Sequence, residues 1–290
     1  MTILALIFRI INAGLMMGIP LILGIILAKK GKDGFRPIGI GAAVFILSQV
    51  GHIPFNQFLL MPGLKRLGVE LGAGGNWNLL ILGLVLGLSA GLFEEIARYL
   101  AFRYWLNRAT YTNLPLIYGV GHGGVEAFIL GILALVALFQ VIFLAGEGAL
   151  LSFSADQAEL IQEQIVAYWE VPLGFSLLGA WERISAMAFH VGASLFVYKA
   201  VRQKKSSWLM IAVIGHTVLD AFAVIAVQKL NFVILESILF VFAAAWLFWA
   251  WTQRVIEHDE KIPSKKHKNE LSASNQQITG EQLEESRYDE

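Results

Sequence analysis

Seven apolar runs, each long enough to cross a bilayer, dictate what this chain can become. They fall at about residues 3–28, 38–60, 77–103, 118–145, 172–199, 207–228 and 232–253, each near the ~20 residues that a spanning helix needs. In hydrocarbon every backbone amide and carbonyl must find an internal partner, which leaves helices or closed barrels. Continuous apolar runs of this length select helices. Of the 290 residues, 57% are hydrophobic and 15% charged, against about 45–50% and about 25% for a soluble domain. The expectation is an all-α, polytopic membrane bundle of about seven transmembrane helices. Cysteine is absent, which excludes disulfides and thiolate metal sites. The first run is too long for a signal-peptide core and lacks a basic start, so it reads as a retained span.

Loop charge sets the orientation. Lys29, Lys30, Lys32 and Arg36 follow the first run, Arg103 and Arg108 the third, Lys199, Arg202, Lys204 and Lys205 the fifth, and Arg254 the seventh. The alternate loops are poorer in cations, and the longest, 146–171, carries five acids and no Lys or Arg. The positive-inside rule gives the N-terminus out and the C-terminus in, in a plasma-membrane, multi-pass arrangement. Ser154-Ala-Asp-Gln157 has capping-box spacing and opens a helix with Leu160, Ile161, Ile165, Val166 and Trp169 on one side. It reads as an interfacial helix on the outer face, with partner docking the weaker alternative. Residues 1–256 form the transmembrane domain, and 257–290, rich in Glu, Lys, Ser, Asn and Gln, read as a disordered cytoplasmic tail.

Ionisable groups interrupt four of the runs: Glu94-Glu95-Ile-Ala-Arg98, His122-Gly-Gly-Val-Glu126, His190, and His216-Thr-Val-Leu-Asp220. Each charge at bilayer depth costs about 2.5–3.5 kcal/mol on insertion scales, so pairing, a metal or a water-filled cavity must offset the load. Counting from the basic ends, Glu94, Glu95, Glu126, His190 and His216 all lie eight or nine residues deep, about 13 Å by helical rise. Four helices thus bring acids and histidines to one level. Glu94/Arg98, His122/Glu126 and His216/Asp220 are i,i+4 pairs and Glu95/Arg98 is i,i+3, so each pair shares a face. A carboxylate one turn from an imidazole can orient the ring and leave its other nitrogen for a metal or substrate. Of two carboxylates beside one arginine, one stays paired and the other is left to accept a proton. Imidazole and carboxylate donors without thiolate suit Zn²⁺ at an open catalytic site. His52 and Asn56 read as structural, Glu182 and Arg183 as an internal ion pair, and Arg9 and Glu236 as snorkelling or paired.

The order Glu94-Glu95-x-x-Arg98, Gly119-Val-Gly121-His122-Gly-Gly-Val-Glu126-Ala, Glu182-Arg183 with His190, and His216-x-x-x-Asp220 resembles the superfamily of type II CAAX prenyl endopeptidases and PrsW-type proteases. Within it the chain looks most like the YhfC family of intramembrane metalloproteases, over about residues 77–228. The resemblance implies a membrane-embedded peptidase whose motif glutamates and histidines activate water. It makes Glu94 the general-base candidate, Glu95 its partner salt-bridged to Arg98, and Asp220 the group that orients His216 or stabilises an oxyanion. The metal-binding candidates are His122 or Glu126, with His190 and His216. The prenyl-protease members space the arginine one residue further on, so either glutamate can pair with Arg98. A Zn²⁺ cofactor and a metal-free glutamate–histidine route both fit. The implied partners are a membrane protein or peptide cut near the cytoplasmic boundary and the lipid bilayer itself, with no nucleic acid. An ion- or proton-coupled transporter is the rival reading, and the lack of repeat symmetry counts against it.

Overall fold

The computed structural model describes residues 2–31, 33–69, 75–109 and 111–256. Those residues form helices and no strands. The segment 257–290, expected as a disordered tail, lies outside the described residues. Seven helices are long and apolar enough to cross a membrane: α1 Ile3–Lys30, α2 Arg36–Arg66, α3 Gly75–Trp105, α4 Leu114–Leu144, α6 Leu173–Gln203, α7 Ser206–Ala226 and α8 Phe232–Thr252. The eighth, α5 Ala155–Glu170, starts with a complete capping box: Gln157 N–H donates to Ser154 Oγ and Ser154 N–H to Gln157 Oε1. Arg9 of α1 reaches the Tyr168 carbonyl and lies over the Tyr168 ring, 4.1 Å from its centroid. The expected snorkelling cation therefore ties α5 to the bundle.

α6 is the central helix. In its apolar window 78% of residues are buried, against 17–44% for the other six. A helix walled by protein can carry polar groups that a lipid-facing helix cannot, and α6 carries Glu182, Arg183 and His190. The other spans turn Leu, Ile, Val and Phe outward, as lipid contact demands.

Small residues set the helix spacing around α6. A Cβ at Gly87 in α3 would lie 2.5 Å from the Thr217 carbonyl oxygen of α7, and one at Gly121 in α4 would lie 2.3 Å from the Ile38 oxygen of α2. Only glycine permits backbones that close, the packing mode of membrane helices. These approaches lock α3 on α7 and α4 on α2, and so fix the helices that bear Glu94, His216 and His122. Beneath His216, Phe189 meets its ring edge-on at 5.3 Å and stacks on Trp246, also at 5.3 Å.

Two departures from regular helix were not expected from sequence. Asn56–Leu60 in α2 and Ala101–Trp105 in α3 are π-helical turns. The first is bracketed by Pro54 and Pro62, neither of which has an N–H to give the α-helical ladder.

Candidate metal and catalytic centre

The four motif helices deliver their polar side chains to one place. At its middle is Oε2 of Glu94. His122 Nε2 lies 3.1 Å from it, His190 Nδ1 3.9 Å and His216 Nε2 4.0 Å. Glu94, His122 and His190 each present one donor atom to a common point, all within 4.8 Å of one another, and all three side chains are buried. Zinc bonds of about 2.0–2.2 Å at tetrahedral angles separate neighbouring donors by about 3.3 Å. The observed spacings run from 3.1 Å to at most 4.8 Å, so the donor set fits a small divalent cation once its wider pairs close by up to about 1.5 Å.

The surrounding contacts assign each acid a different environment. Glu95, with no exposed surface, pairs with Arg98 at 3.1 Å and accepts from His216 Nδ1 at 2.8 Å. Glu95 therefore takes the arginine and also fixes the tautomer of His216, leaving Nε2 turned to the cavity. Arg98 Nη2 donates to His190 Nδ1 at 3.1 Å. That lone pair can serve Arg98 or a cation but not both, so loading the site means exchanging this hydrogen bond for a metal bond. His190 Nε2 meets Glu126 Oε2 at 2.9 Å, and the other oxygen of Glu126 accepts from Arg183 Nη1 at 2.7 Å. Arg183 also pairs with its neighbour Glu182.

The one-turn pairing of His122 with Glu126 expected from sequence does not form. The wholly buried His122 ring turns toward Glu94 and packs edge-on against Phe45 at 5.3 Å, with no hydrogen-bond partner for Nδ1 among the described residues. Glu126 is drawn instead to Arg183 and His190 on α6, each of which engages one of its oxygens. Asp220 faces His216 Nε2 at 3.5 Å with about a third of its side chain exposed. The hydrogen bond that holds His216 is the one its Nδ1–H donates to Glu95, not a contact with Asp220.

Two cavities meet these groups. One, about 130 Å³, is lined by Glu94, Glu126, Arg183, His190, His216 and Asp220. The other, about 760 Å³, is walled by apolar side chains of α2 and α4 and also reaches Glu94, Glu126 and Asp220. Both therefore open on the same three carboxylates. Five carboxyl groups (Glu94, Glu95, Glu126, Glu182, Asp220) face only two guanidiniums, Arg98 and Arg183. That negative excess at membrane depth favours a divalent cation or protonated imidazoles.

Gln49 is the functional neighbour that sequence reasoning missed. Its amide donates to Glu94 Oε1 at 2.8 Å. The available signal was the spacing of Gln49, His52 and Asn56, three polar residues on one face of an apolar run.

Comparison with known proteins identifies the family. An uncharacterized membrane protein, YhfC of Bacillus subtilis strain 168, is 32% identical over 169 residues, which is 56% of this chain. The aligned part spans 64% of that relative's length. No solved structure matches. The model of the YhfC intramembrane metalloprotease family matches residues 15–240, a stretch that contains every residue of the centre. The chain belongs to the YhfC intramembrane metalloprotease family.

Proposed function

We propose that the protein is an intramembrane endopeptidase that hydrolyses a peptide bond of a membrane protein or membrane-bound peptide near the cytoplasmic boundary. The observation that carries this reading is the convergence of three imidazole nitrogens on one oxygen of Glu94, beside cavities that expose Asp220 and Glu126. Glu94, His122 and His190 would hold a zinc ion, with His216 Nε2 as the next donor. When bound, zinc supplies Lewis acidity toward a carbonyl and a water acidic enough to attack near neutral pH.

The remaining chemistry belongs to the protein's own groups. Glu94 is held at Oε1 by Gln49 and surrounded by rings at Oε2, so it serves as ligand rather than base. Glu95 is enclosed by Arg98 and His216, and its role is to aim His216. Asp220 is the carboxylate with open surface beside the donor set, so it takes the proton of the attacking water. Asp220 then returns that proton to the leaving amine, while Glu126, poised between Arg183 and His190, orients the His190 ring. The guanidinium of Arg183 keeps Glu126 in place for that role.

The test is purified protein in lipid nanodiscs, assayed for bound zinc and for cleavage of candidate membrane clients. Stoichiometric zinc with cleavage abolished by a chelator, and restored by zinc, is the expected result. Full cleavage by metal-free protein would favour the glutamate–histidine route, and zinc-independent ion flux would favour a transporter.

A further inference from the structure

We propose that Gln49, His52, Asn56 and Ser89 form a directional hydrogen-bond relay that positions the Glu94 carboxylate, with Gln49 as its positioning residue. The inference rests on the reading of Glu94 as a cation ligand and adds four residues that the motifs do not contain. Gln49 and His52 are i,i+3 on α2, and Asn56 follows at i+7, so all three share the face turned to α3. Gln49 Nε2 donates to Glu94 Oε1 at 2.8 Å. The Gln49 carbonyl oxygen then faces His52 Nδ1 at 3.2 Å, His52 Nε2 faces Asn56 Nδ2 at 2.9 Å, and Ser89 Oγ donates to Asn56 Oδ1 at 2.7 Å.

Donor and acceptor roles along this chain are not free. A carboxylate only accepts, so the Gln49 amide must present N–H to Glu94; flipped, it would set two oxygens against each other. Gln49 Oε1 is thereby an acceptor, which requires the proton of His52 on Nδ1. His52 is then neutral with a lone pair on Nε2, which the Asn56 amide N–H satisfies, and Asn56 Oδ1 receives the serine hydroxyl. Every link points the same way and ends on Glu94.

The consequence is geometric. Glu94 has two oxygens, and Oε2 is the one beside His122, His190 and His216. Holding Oε1 fixes the carboxylate plane and aims Oε2 at the rings before any cation arrives. Ser89 sits on α3, five residues before Glu94, so the relay also ties α2 to the helix that carries its target. The π-helical turn that begins at Asn56 marks where α2 departs from regular helix after this contact.

Zinc affinity and the protonation of His52 test the proposal together. Gln49→Leu removes the donor at similar size and should weaken zinc binding by about 10–100-fold, the usual cost of losing a group that orients a metal ligand. Ser89→Ala, at the far end, should act in the same direction but less. Leu47→Ala, on the lipid-facing side of α2, should leave affinity unchanged. Independently of metal, ¹⁵N-histidine NMR should show His52 neutral and protonated on Nδ1, its signals assigned by their loss in His52→Gln. Equal zinc affinity in wild type and Gln49→Leu would overturn the relay while leaving the metal site intact. If wild type binds no zinc, the metal reading fails, and the relay stands or falls on His52. A ring protonated on Nε2 would overturn it. Should Gln49→Leu not fold, Ser89→Ala and the His52 signals decide.

Discussion

At the scale of single residues, four acids within reach of one cavity do different work because their oxygens are differently engaged. Of the cavity's two most exposed acids, Glu182 is paired with Arg183 and Asp220 is not. Asp220→Asn should lower turnover by about 10²–10⁴-fold, the range for loss of a general base, while zinc content stays at the wild-type level. Loss of zinc in Asp220→Asn would make the residue a ligand instead. Glu95→Gln should behave in the opposite way. It strands the fully buried guanidinium of Arg98, and breaking a buried pair costs about 3–5 kcal/mol. Reduced thermal stability and folded yield should precede any loss of activity in the fraction that folds; unchanged stability would contradict the pairing. The sequence could not divide Glu94 from Glu95, since helical spacing lets either reach Arg98. What separates them is the direction of each side chain: Glu95 points into the α6–α7 seam and Glu94 toward α2 and α4. Gln49 escaped notice because an amide in an apolar run carries no charge whose burial demands explanation, and only its spacing to His52 and Asn56 marks it.

At the scale of elements, the centre exists because α3 and α7 touch at backbone distance. Gly87→Leu would force those helices apart, since even a Cβ there meets the Thr217 oxygen at 2.5 Å. Stability should fall, and zinc affinity with it, because His216 is carried away from Glu95 and Glu94. Gly14→Ala provides the control: nothing lies within 4 Å of a Cβ at Gly14, and its melting temperature should be unchanged. A Gly87→Leu protein that melts and binds zinc like wild type would contradict this packing. All seven spans were legible, because length and apolarity are properties of each segment taken alone. The central place of α6 and the turn of His122 away from Glu126 were not. Both depend on which helices neighbour which, and in a membrane every span is apolar enough to face lipid. The π turns were hidden for a related reason: prolines at 54 and 62 announce a break without saying which irregular turn repairs it.

Across the whole molecule, the proposed cleavage at the cytoplasmic boundary requires one orientation. The positive-inside rule predicts the cation-rich ends of α1, α3, α6 and α8 on the cytoplasmic side, with the N-terminus and α5 outside. The chain has no native cysteine, so single substitutions report cleanly. Lys204→Cys should react with a membrane-impermeant thiol reagent only from the cytoplasmic face, and Ser154→Cys only from the outer face. The reverse pattern would invert the topology and move the proposed cleavage to the other membrane boundary. Whether Glu94, His122 and His190 hold a metal is decided by X-ray absorption at the zinc edge. Protein purified with zinc should hold one ion per chain, bound only by nitrogen and oxygen at about 2.0–2.2 Å with imidazole scattering. His122→Ala and Glu94→Gln should each lose the ion while remaining folded. Stoichiometric zinc retained in both variants, or fully active wild-type protein without zinc, would contradict the account.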